Sequence, residues 1–569
     1  MADQSGHTGQ SPVAVTLAAS LKRHGVEVLF GQSLPSALHL VAPEFGMLQV
    51  NYRTENAGGT MADGYARIAN RIGVVTAQNG PAATLLVPPL AEAFKASVPL
   101  LAIVQEVDRD ATDRNAFQEF DHMGLFAPCT KWVRRIDTAA RVEDYVDMAV
   151  TAATTGRPGP VALLCPADLL RDAHSVAQAR VAAMGYFPLD RVAPDPDRIR
   201  AAASLIAGAK NPVVIAGGGV HLSQATDALT DLQEVAHLPV GTTNMGKGAV
   251  SEEHPLSLGV LTNALAEGSP ARPMRAILDE ADVILLVGTR TNQNGTDSWK
   301  LYPREARIIH IDIDGCEVGR NYEADRLVGD ARLALTSLKQ ALEAEGLAAR
   351  KDARAALEER IANGRTEGRE GAVAMYSDAA PLRPERIMAE LDSRIDGDTI
   401  VSADASYSSL WVLGFLTARR AGQRFVTPRG LAGLGWGLPL GLGAKAGAPD
   451  RKVVTVVGDG GFAHSWQELE TARRMGLGLV VIVLNNGILG FQKHAELVKF
   501  GAHTGAIDFT PVDHAAVAKA AGCDGIRVET VAELGAALDT GLASDGVTVL
   551  DVVTDPDAYP PITVFEGHL

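Results

Sequence analysis

A carboxylate and two amides stand late in the chain at a spacing that could hold a metal ion and a diphosphate. Gly458-Asp459-Gly460 follows a β-branched run, and Asn485-Asn486 follows a second apolar run after 24 intervening residues. Glycines let backbone N–H groups approach phosphate oxygens, and a carboxylate suits Mg²⁺, which prefers oxygen ligands that it shares with phosphates. The spacing therefore predicts that Asp459 binds Mg²⁺ and that Gly458 and Gly460 border a diphosphate.

The segments around these motifs are expected to place both of them at one edge of a sheet. The runs 453–457 and 479–484 predict two buried strands, and apolar residues at helical spacing in 465–475 predict a helix between them. In a parallel sheet, the carboxyl ends of strands joined by one crossover meet at the same ligand crevice. Either motif alone is as well explained by a turn or a loop. Their combination in this context favours a shared metal and diphosphate site.

These residues resemble the diphosphate motif of the thiamine-diphosphate (ThDP) enzymes, in which GDG precedes NN at a similar spacing. The resemblance implies that ThDP and Mg²⁺ are the cofactors. It also implies that Asp459 and Asn486 supply side-chain ligands to the metal, and that Ile488 supplies its backbone oxygen. Leu489, the next residue, is predicted to face the substrate.

Composition excludes several other classes of protein. The 569 residues are too many for one hydrophobic core and predict several domains. The formal net charge of −16 argues against a nucleic acid or an anionic membrane as partner. No apolar stretch reaches the roughly 18 residues of a membrane-spanning helix, and residues 1–10 lack the pattern of a secretory signal, so we expect a cytoplasmic location. The cysteines match neither a metal site nor a disulfide framework, and we expect all four to be reduced packing residues: Cys129, Cys165, Cys316 and Cys523.

Short apolar runs alternate with helical stretches, which predicts an α/β fold of three consecutive doubly wound domains with mainly parallel sheets. A linker rich in Pro and Asp at 188–196 separates the first two domains, and a charged stretch at 343–370 predicts a solvated helix and linker before the third. The boundaries that follow are 1–190, 191–365 and 366–569. By resemblance to ThDP decarboxylases and carboligases, these are pyrimidine-binding, middle and diphosphate-binding domains, of which the first and third share one fold.

ThDP chemistry requires a carboxylic acid at the far end of the cofactor, hydrogen-bonded to N1′ of its pyrimidine. Arg53-Thr54-Glu55 precedes Gly64-Tyr65-Ala66-Arg67 at the spacing of the family pattern, which implies that Glu55 fills this role. A surface Glu at the start of a helix is the alternative when the residue is taken by itself. Because pyrimidine and diphosphate domains of different subunits meet in this family, the resemblance implies a homodimer as the minimal active unit and a homotetramer of two such dimers.

Two further segments are expected to contact the cofactor. Leu434, in the glycine-rich stretch 433–439, aligns with the position where related enzymes carry a bulky apolar residue beneath the bent cofactor. Simple packing is the alternative for Leu434. Asp404 and Ser406 follow a predicted strand at 399–401 and are expected to close over the diphosphate, where Ser406 could donate its hydroxyl group.

Most of the first domain resembles the large subunit of acetolactate synthase. The resemblance includes segments 79–84 and 116–119, and it implies a cofactor contact for Gly80 and active-site positions for Phe117 and Gln118. In that family the Phe-Gln pair lines the substrate channel, and Gln118 is expected to hydrogen-bond cofactor-bound intermediates. The resemblance favours a carboligase or lyase that acts on small-molecule carbonyl substrates, either short 2-oxo acids or 2-hydroxy ketones.

Three departures from the acetolactate synthase pattern concern the substrate. Asn294 stands where that family has the arginine expected to favour an anionic 2-oxo acid acceptor. Ala495 stands where it has a tryptophan associated with acceptor selection. The early turn FGYPGG is replaced by a segment containing Gln32 and Ser33, which are predicted to supply polar contacts to the substrate.

Parts of the second and third domains look at least as similar to benzaldehyde lyase. A lyase of the benzaldehyde or 2-hydroxyacyl-CoA type is therefore the alternative function. The early turn lacks the catalytic histidine of benzaldehyde lyase, so His122, His464 and His494 are the imidazoles to consider, with His122 as the substrate candidate. A non-catalytic homologue with a binding or regulatory role is a second alternative, although Glu55 and the metal motif are retained.

The middle domain raises the question of a further cofactor. Gly217-Gly218-Gly219 follows a predicted strand and could approach a pyrophosphate, and Arg290 matches an arginine of the FAD-binding acetolactate synthases. Three alternatives stay open for this domain, namely FAD, ADP or no ligand.

Overall fold

Three six-stranded parallel sheets organise the chain in the computed structural model, which describes residues 10–175 and 180–565. A short antiparallel pair, Gln10–Pro12 with Ala173–Ser175, joins the start of the described chain to the end of the first domain. The architecture confirms the predicted α/β fold of three domains. Within the described ranges, no helix has the length and apolar character needed to cross a membrane.

The first domain is a parallel sheet with helices packed against it. In spatial order, its strands are Leu48–Val50, Val28–Phe30, Gly73–Ala77, Leu100–Glu106, Val161–Pro166 and Trp132–Arg135. Its α-helices are Val13–Arg23, Ser36–Val41, Glu55–Ala69, Pro81–Leu85, Val87–Ala96, His122–Phe126 and Val142–Thr154. The apolar side chains of the central strands are buried, as the β-branched runs of the sequence predict.

The middle domain follows the irregular linker that the sequence predicts before residue 196. Its strands in spatial order are Ser257–Val260, Val240–Thr242, Pro212–Ala216, Val283–Val287, Arg307–Asp312 and Ala324–Val328. Its α-helices are Pro196–Gly208, Gly219–Leu222, Thr226–Val235, Arg275–Asp279, Ala331–Glu345 and Ala348–Gly371. Asp195 caps the first of these helices by accepting hydrogen bonds from the N–H groups of Asp197 and Arg198.

The charged stretch that was expected to be a helix and linker contains the long helix Ala348–Gly371. This helix packs on the middle domain, because Ile361 is fully buried and Arg360 forms an ion pair with Glu280. The boundary expected between residues 365 and 366 lies inside this helix and is therefore wrong. The structure places the end of the middle domain after Gly371.

The third domain contains both Gly458-Asp459-Gly460 and Asn485-Asn486. Its strands in spatial order are Phe425–Val426, Ile400–Ala403, Val453–Gly458, Val480–Asn485, Thr548–Val553 and Asp524–Val528. Its α-helices are Pro384–Asp392, Tyr407–Phe415, Gly437–Gly447, Asp459–Phe462, Glu468–Met475, Gly490–Phe500, His514–Ala520 and Val531–Ala543. The two motif strands are adjacent and parallel, with Gly458 paired to Leu484.

The order of strands distinguishes the middle domain from the other two. With the strands of each domain numbered along the chain, both the first and the third sheet have the order 2-1-3-4-6-5. The middle sheet has the order 3-2-1-4-5-6, which is typical of dinucleotide-binding folds. The expectation that the first and third domains share one fold is therefore confirmed.

Two helices that cross at glycines join the first and third domains. Helix Glu55–Ala69 packs on helix Gly437–Gly447. A Cβ atom on Gly64 would lie 2.3 Å from the Leu440 oxygen, and one on Gly443 would lie 1.9 Å from the Met61 oxygen. The backbones are therefore too close for any larger side chain at either position, and the start of each helix is held at a fixed distance from the other domain.

The cysteines agree only in part with their expected role. All four are free thiols, and Cys129 and Cys165 are buried as expected of packing residues. Cys523 is partly buried, and its thiol lies near the Leu469 carbonyl oxygen. Cys316 is exposed, so the expectation of a packing role is wrong for this residue.

Candidate cofactor site and active site

Asp459 and Asn486 lie at neighbouring strand ends, as the sequence predicts. Asp459 directly follows strand Val453–Gly458, and its Oδ2 accepts a hydrogen bond of 2.8 Å from the N–H group of Gly487. The Asn486 Oδ1 accepts a hydrogen bond of 3.2 Å from the N–H group of Ile488. The crossover through helix Glu468–Met475 thus brings both side-chain oxygens and the Ile488 backbone to the carboxyl edge of the sheet.

The Asp459 carboxylate is buried without a compensating positive charge. It is only 6% exposed, and no basic side chain in the described ranges forms an ion pair with it. Burial raises the pKa of Asp459 to about 6, although the N–H group of Gly487 favours the charged form. A buried anion with oxygen neighbours and no cation fits a divalent metal ion. In the described chain, no group of three or more His, Cys, Asp or Glu side chains forms an alternative metal site.

A loop from the same domain covers the metal motif. The Phe509 N–H donates to the Gly487 oxygen at 2.8 Å, and the Leu489 N–H donates to the Ile507 oxygen at 3.0 Å. A Cβ on Gly460 would lie 2.8 Å from the Phe509 ring and 2.9 Å from a Leu489 methyl group. Glycine is therefore required at residue 460 by the packing of the loop. Leu489 lies against the motif, and its predicted contact with the substrate stays a prediction.

Helix Tyr407–Phe415 begins beside the same motif. A Cβ on Gly458 would lie 3.6 Å from the Ser408 Oγ, and one on Gly490 would lie 3.3 Å from the Tyr407 ring. Ser406 precedes this helix with a φ of +64°, a left-handed conformation that is uncommon for serine. Ser406 thus precedes by one and two residues the side chains of Tyr407 and Ser408, which border the motif. Its contact with the diphosphate stays a prediction.

Tyr407 also contacts a histidine of the helix Gly490–Phe500. Tyr407 Oη and His494 Nδ1 form a short hydrogen bond, and the His494 ring stacks on Tyr559 with the ring centres 4.2 Å apart. Burial lowers the pKa of His494 to about 4, so its imidazole is neutral at physiological pH. Ala495, the next residue, is 8% exposed, and the substrate contact expected of it stays a prediction.

Asp404 holds the loop that carries Leu434. Its buried carboxylate accepts hydrogen bonds from the N–H groups of Gly435 at 2.9 Å, Trp436 at 3.0 Å and Gly437 at 3.2 Å. Burial raises the pKa of Asp404, while these N–H groups favour the charged form. Because these contacts occupy the carboxylate, any effect of Asp404 on the cofactor would act through the Leu434 loop or through the Asp404 backbone.

Glu55 begins helix Glu55–Ala69, and a carboxylate from the third domain fixes the residues just before it. Glu468 is fully buried and accepts hydrogen bonds of 3.1 Å from the N–H groups of both Arg53 and Thr54. Thr471 donates its hydroxyl group to the same carboxylate at 2.8 Å. Burial raises the pKa of Glu468 against the effect of these donors. No hydrogen bond in the described ranges links Glu55 to the metal motif of its own chain.

Gln32 and Ser33 lie in the early turn, and both are exposed. The Gln32 amide donates to the carbonyl oxygens of Arg53 at 3.0 Å and Tyr52 at 3.3 Å. Gln32 therefore ties the early turn to the segment that presents Glu55. The substrate contacts of both residues stay predictions.

Gly80 and Gln118 meet at the carboxyl edge of the first sheet. A Cβ on Gly80, which has a φ of +66°, would lie 2.7 Å from the Gln118 Cβ. Gln118 itself has a φ of +62°, and its Oε1 accepts a hydrogen bond of 2.8 Å from the Gln78 amide. Phe117 is 84% exposed. Two residues in left-handed conformations and a bare aromatic ring are typical of a segment shaped for a contact beyond the chain itself.

His122 does not present a free imidazole to a substrate, which corrects the prediction made for it. The residue is 2% exposed, and its Nε2 accepts a hydrogen bond of 3.0 Å from the Gly80 N–H. Its Nδ1 then carries the proton and donates to Glu106 at 3.2 Å. Burial raises the pKa of Glu106, but hydrogen bonds from His122 and Arg135 outweigh it and lower the pKa below its usual range. His122 therefore positions the Gly80 turn.

Two buried carboxylates that position these segments, Glu92 and Glu468, were not predicted from the sequence. Glu92 is 3% exposed and accepts from the N–H groups of Gly430 at 2.7 Å and Ala432 at 3.2 Å, in the loop before Leu434. Its place between two alanines, on a helix whose only other charged residue is Lys95, was a signal that could have revealed it. Glu468 has no comparable signal, because it stands at the charged start of its helix.

A cavity of about 680 Å³ lies where the three domains meet. Gly218, Gly219 and Gly288 line it on the middle-domain side, and Gly219 and Gly288 are so close that a Cβ on either would lie 2.7 Å from the other. The glycines are therefore explained by the packing of two strand ends. Arg290 and Asp312 are two of the charged residues that line the cavity. Arg290 donates a hydrogen bond to the Lys95 carbonyl oxygen, and burial raises the pKa of Asp312 to about 6.

Comparisons with known proteins cover all three domains. The chain matches family models of the thiamine pyrophosphate (TPP) enzymes, and TPP is another name for ThDP. The matches are the N-terminal TPP binding domain at 12–125, the central domain at 199–338 and the C-terminal TPP binding domain at 404–552. It is 33% identical to a probable acetolactate synthase large subunit of Methanococcus aeolicus, over 96% of this chain and 92% of the relative. It is 32% identical to an acetolactate synthase of Arthrospira platensis, over 100% of this chain and 98% of the relative.

Proposed function

Because the chain belongs to the ThDP-dependent enzymes, among the acetolactate synthase-like carboligases, we propose that it forms or cleaves carbon–carbon bonds in short 2-oxo acids or 2-hydroxy ketones. The observation that carries this proposal is the buried Asp459 carboxylate. It has no cation among the described residues and adjoins Asn486 and the Ile488 backbone. The acetolactate synthase relatives favour synthesis over cleavage.

The residues present fit ThDP and Mg²⁺. Asp459, Asn486 and the Ile488 oxygen would hold the metal, and Gly458 and Gly460 would border the diphosphate. Leu434 would support the bent cofactor from the loop that Asp404 and Glu92 hold in place. When bound, ThDP supplies a carbon nucleophile and an electron sink for the carbonyl chemistry. The covering loop with Phe509 would keep water from this edge.

Glu55 would hold a proton at the cofactor pyrimidine, and we assign it to the cofactor of a partner subunit. Glu468 of the same chain directs the Glu55 helix start, and no hydrogen bond in the described ranges joins Glu55 to its own metal motif. The exposed Phe117 next to Gln118 supports a contact between subunits at this edge. A homodimer would then be the minimal active unit, and a homotetramer would contain two such dimers.

Hybrid dimers test this assignment. Glu55→Gln and Asp459→Asn chains, each inactive alone, are co-expressed with different tags, and the mixed dimer is purified through both tags. If each site combines residues of two chains, the mixed dimer has one intact site of two, about half of the wild-type activity. A mixed dimer as inactive as its parents would place each site within one chain.

A donor and acceptor panel tests the reaction. With ThDP and Mg²⁺ present, pyruvate and benzoin are offered with and without an aldehyde acceptor, and products are followed by chromatography. Glu55→Gln is the control, with an expected loss on the order of 10²- to 10⁴-fold. Use of pyruvate supports the carboligase, and cleavage of benzoin with no use of pyruvate supports a lyase. Equal behaviour of wild type and Glu55→Gln on every donor would identify a non-catalytic homologue.

The cavity between the domains supports a nucleotide diphosphate, FAD or ADP, as a further ligand. The strand order of the middle domain favours a dinucleotide, and Arg290 lines the cavity. An absorbance spectrum of the purified protein separates the two, because flavin bands are expected only with FAD. Mass spectrometry of the denatured protein detects ADP, and the absence of both nucleotides would leave the middle domain without this ligand.

A further inference from the structure

Arg429 is a charged side chain in the cavity between the domains that has no charged partner. Its Nη2 donates to the Ser409 Oγ at 2.6 Å, and its Nε is buried without any hydrogen-bond partner. No carboxylate in the described chain forms an ion pair with it. Burial lowers the pKa of Arg429 to about 10, with the Glu92 charge opposing, so the guanidinium stays protonated at neutral pH. A buried donor left unpaired in this way is costly unless a ligand satisfies it.

The other arginines that line the cavity are engaged within the protein, and Lys95, which also lines it, is exposed. Arg67 pairs with Asp63, and Arg157 and Arg320 pair with Glu317. Arg290 and Arg424 donate to the carbonyl oxygens of Lys95 and Arg67, respectively. Unlike Arg67, Arg157 and Arg320, Arg429 has no carboxylate partner among the described residues. Its buried Nε without a hydrogen-bond partner distinguishes it from Arg290 and Arg424.

The position of Arg429 relates it to the proposed reaction centre. It follows strand Phe425–Val426 at the carboxyl edge of the sheet, the edge that also presents Asp459. Its partner Ser409 directly follows Ser408, which borders Gly458. Arg424, in contrast, precedes the same strand and lies at the amino end. Of these two arginines in one cavity, only Arg429 lies at the catalytic edge.

The backbone around Arg429 is fixed, so its side chain has a defined direction. The Glu92 carboxylate accepts hydrogen bonds from the N–H groups of the next three residues: Gly430, Leu431 and Ala432. A Cβ on Gly430 would lie 2.6 Å from the Glu92 backbone oxygen, which leaves the loop no room to shift. A preorganised guanidinium loses little freedom when it binds an oxyanion.

We propose that Arg429 binds the carboxylate of a 2-oxo acid substrate and so determines that the enzyme accepts anionic substrates. This inference rests on the proposed function. The planar guanidinium suits a carboxylate, with which it forms charge-assisted hydrogen bonds. A nucleotide phosphate in the same cavity offers related chemistry, but the carboxyl-edge position of Arg429 favours the substrate.

The test compares Arg429→Gln and Arg429→Lys with the matched control Arg424→Gln, all loaded with ThDP and Mg²⁺. For Arg429→Gln, we expect KM for pyruvate to rise on the order of 10- to 100-fold, with turnover of the neutral donor benzoin unchanged. Arg429→Lys keeps the charge and should recover part of the affinity. Arg424→Gln should leave KM for pyruvate unchanged.

Calorimetric titration gives a second readout that does not need turnover. Oxamate, an unreactive analogue of pyruvate, should bind wild type and Arg424→Gln but bind Arg429→Gln at least tenfold more weakly. If Arg429→Gln instead lost affinity for ADP and kept its affinity for oxamate, the anion would be a phosphate and the proposal would be overturned. Equal losses on pyruvate and benzoin would also overturn it. If wild type turned over neither donor, the proposed function would fail, while oxamate binding would still decide the role of Arg429.

Discussion

The first and third domains share one strand order, but they complete the equivalent strand ends in different ways. In the first domain, the Gly80 N–H after the third strand donates a hydrogen bond to His122, and His122 donates a second one to Glu106. In the third domain, the residue after the third strand is Asp459, which accepts one N–H group and has no basic partner in the described ranges. In both domains the contact is made to the segment after the fourth strand. One edge is thus satisfied by the protein itself, and the other keeps an unbalanced charge for a ligand.

This difference indicates how one fold can take two roles at a single cofactor. Parallel strands place their carboxyl ends at one edge in both domains, so the fold alone makes two equivalent crevices. The side chains at the strand ends decide which crevice would suit a cation. The first edge stays close to neutral because a buried Glu106 is paired with Arg135 as well as His122. At the third edge, the Asp459 carboxylate has no basic partner among the described residues, so a bound cation would balance its charge.

Removal of the unbalanced charge is expected to have the largest effect. Asp459→Asn keeps the size of the side chain but loses the charge, so we expect ThDP and Mg²⁺ binding to fail and activity to fall by about three orders of magnitude. Because the substitution relieves a buried charge, the thermal-unfolding midpoint of the cofactor-free protein should not fall. Asp508→Asn, an exposed carboxylate of the covering loop, is the matched control and should keep activity. Normal cofactor binding by Asp459→Asn would remove the distinction between the two edges.

A change at the contact between the two domains is expected to have an intermediate effect. Glu468→Ala leaves the buried N–H groups of Arg53 and Thr54 without an acceptor, which should let the start of the Glu55 helix move. We expect kcat to fall about tenfold with KM and Mg²⁺ affinity nearly unchanged. Steady-state kinetics at several Mg²⁺ concentrations measure these quantities.

Glu468→Gln separates the positioning of Glu55 from general loss of stability. It keeps an oxygen that can accept one of the two backbone N–H groups, so it should recover part of kcat. Equal reductions in kcat for both substitutions, together with a weakened Mg²⁺ affinity, would argue for a role at the metal instead.

The smallest effect is expected at the satisfied edge and should depend on pH. The pKa of Glu106 is lowered in the folded protein, so its charged form stabilises the fold above the unfolded pKa of about 4.3, and this contribution is lost as pH falls through the folded pKa. Glu106→Gln should therefore lower the thermal-unfolding midpoint at pH 7 by a few degrees, and the difference from wild type should shrink below pH 4. Glu44→Gln, an exposed control, should show no such pH dependence. A difference that stays constant with pH would contradict the pairing of Glu106.

The parts of this site that depend on local secondary structure could be predicted from the sequence. The contacts between distant segments could not. Asp459 and Asn486 end two β-branched runs, so their strand ends could be predicted from the pattern alone. The roles of Glu468 and Glu92 depend on backbone N–H groups more than 300 residues away, which no periodicity reveals. His122 was interpreted wrongly because an imidazole has the same sequence signal whether it faces a substrate or a buried glutamate. The boundary at residue 365 failed because the charged stretch predicts a solvated helix and linker, whereas the helix extends to Gly371 and is buried at Ile361 and two glycines.

The crossing of the helices at Gly64 and Gly443 has a consequence for anyone who wishes to redesign this enzyme. At this crossing, neither glycine has a side chain that could be exchanged for another of similar size. The two helix backbones are in direct contact at these glycines, and a single added methyl group would push the Glu55 helix away from the helix that follows Leu434. Libraries that vary the loops around Arg429 and Phe117 leave this spacing intact, whereas a substitution at the crossing would change the distance between the Glu55 helix and the helix that follows Leu434.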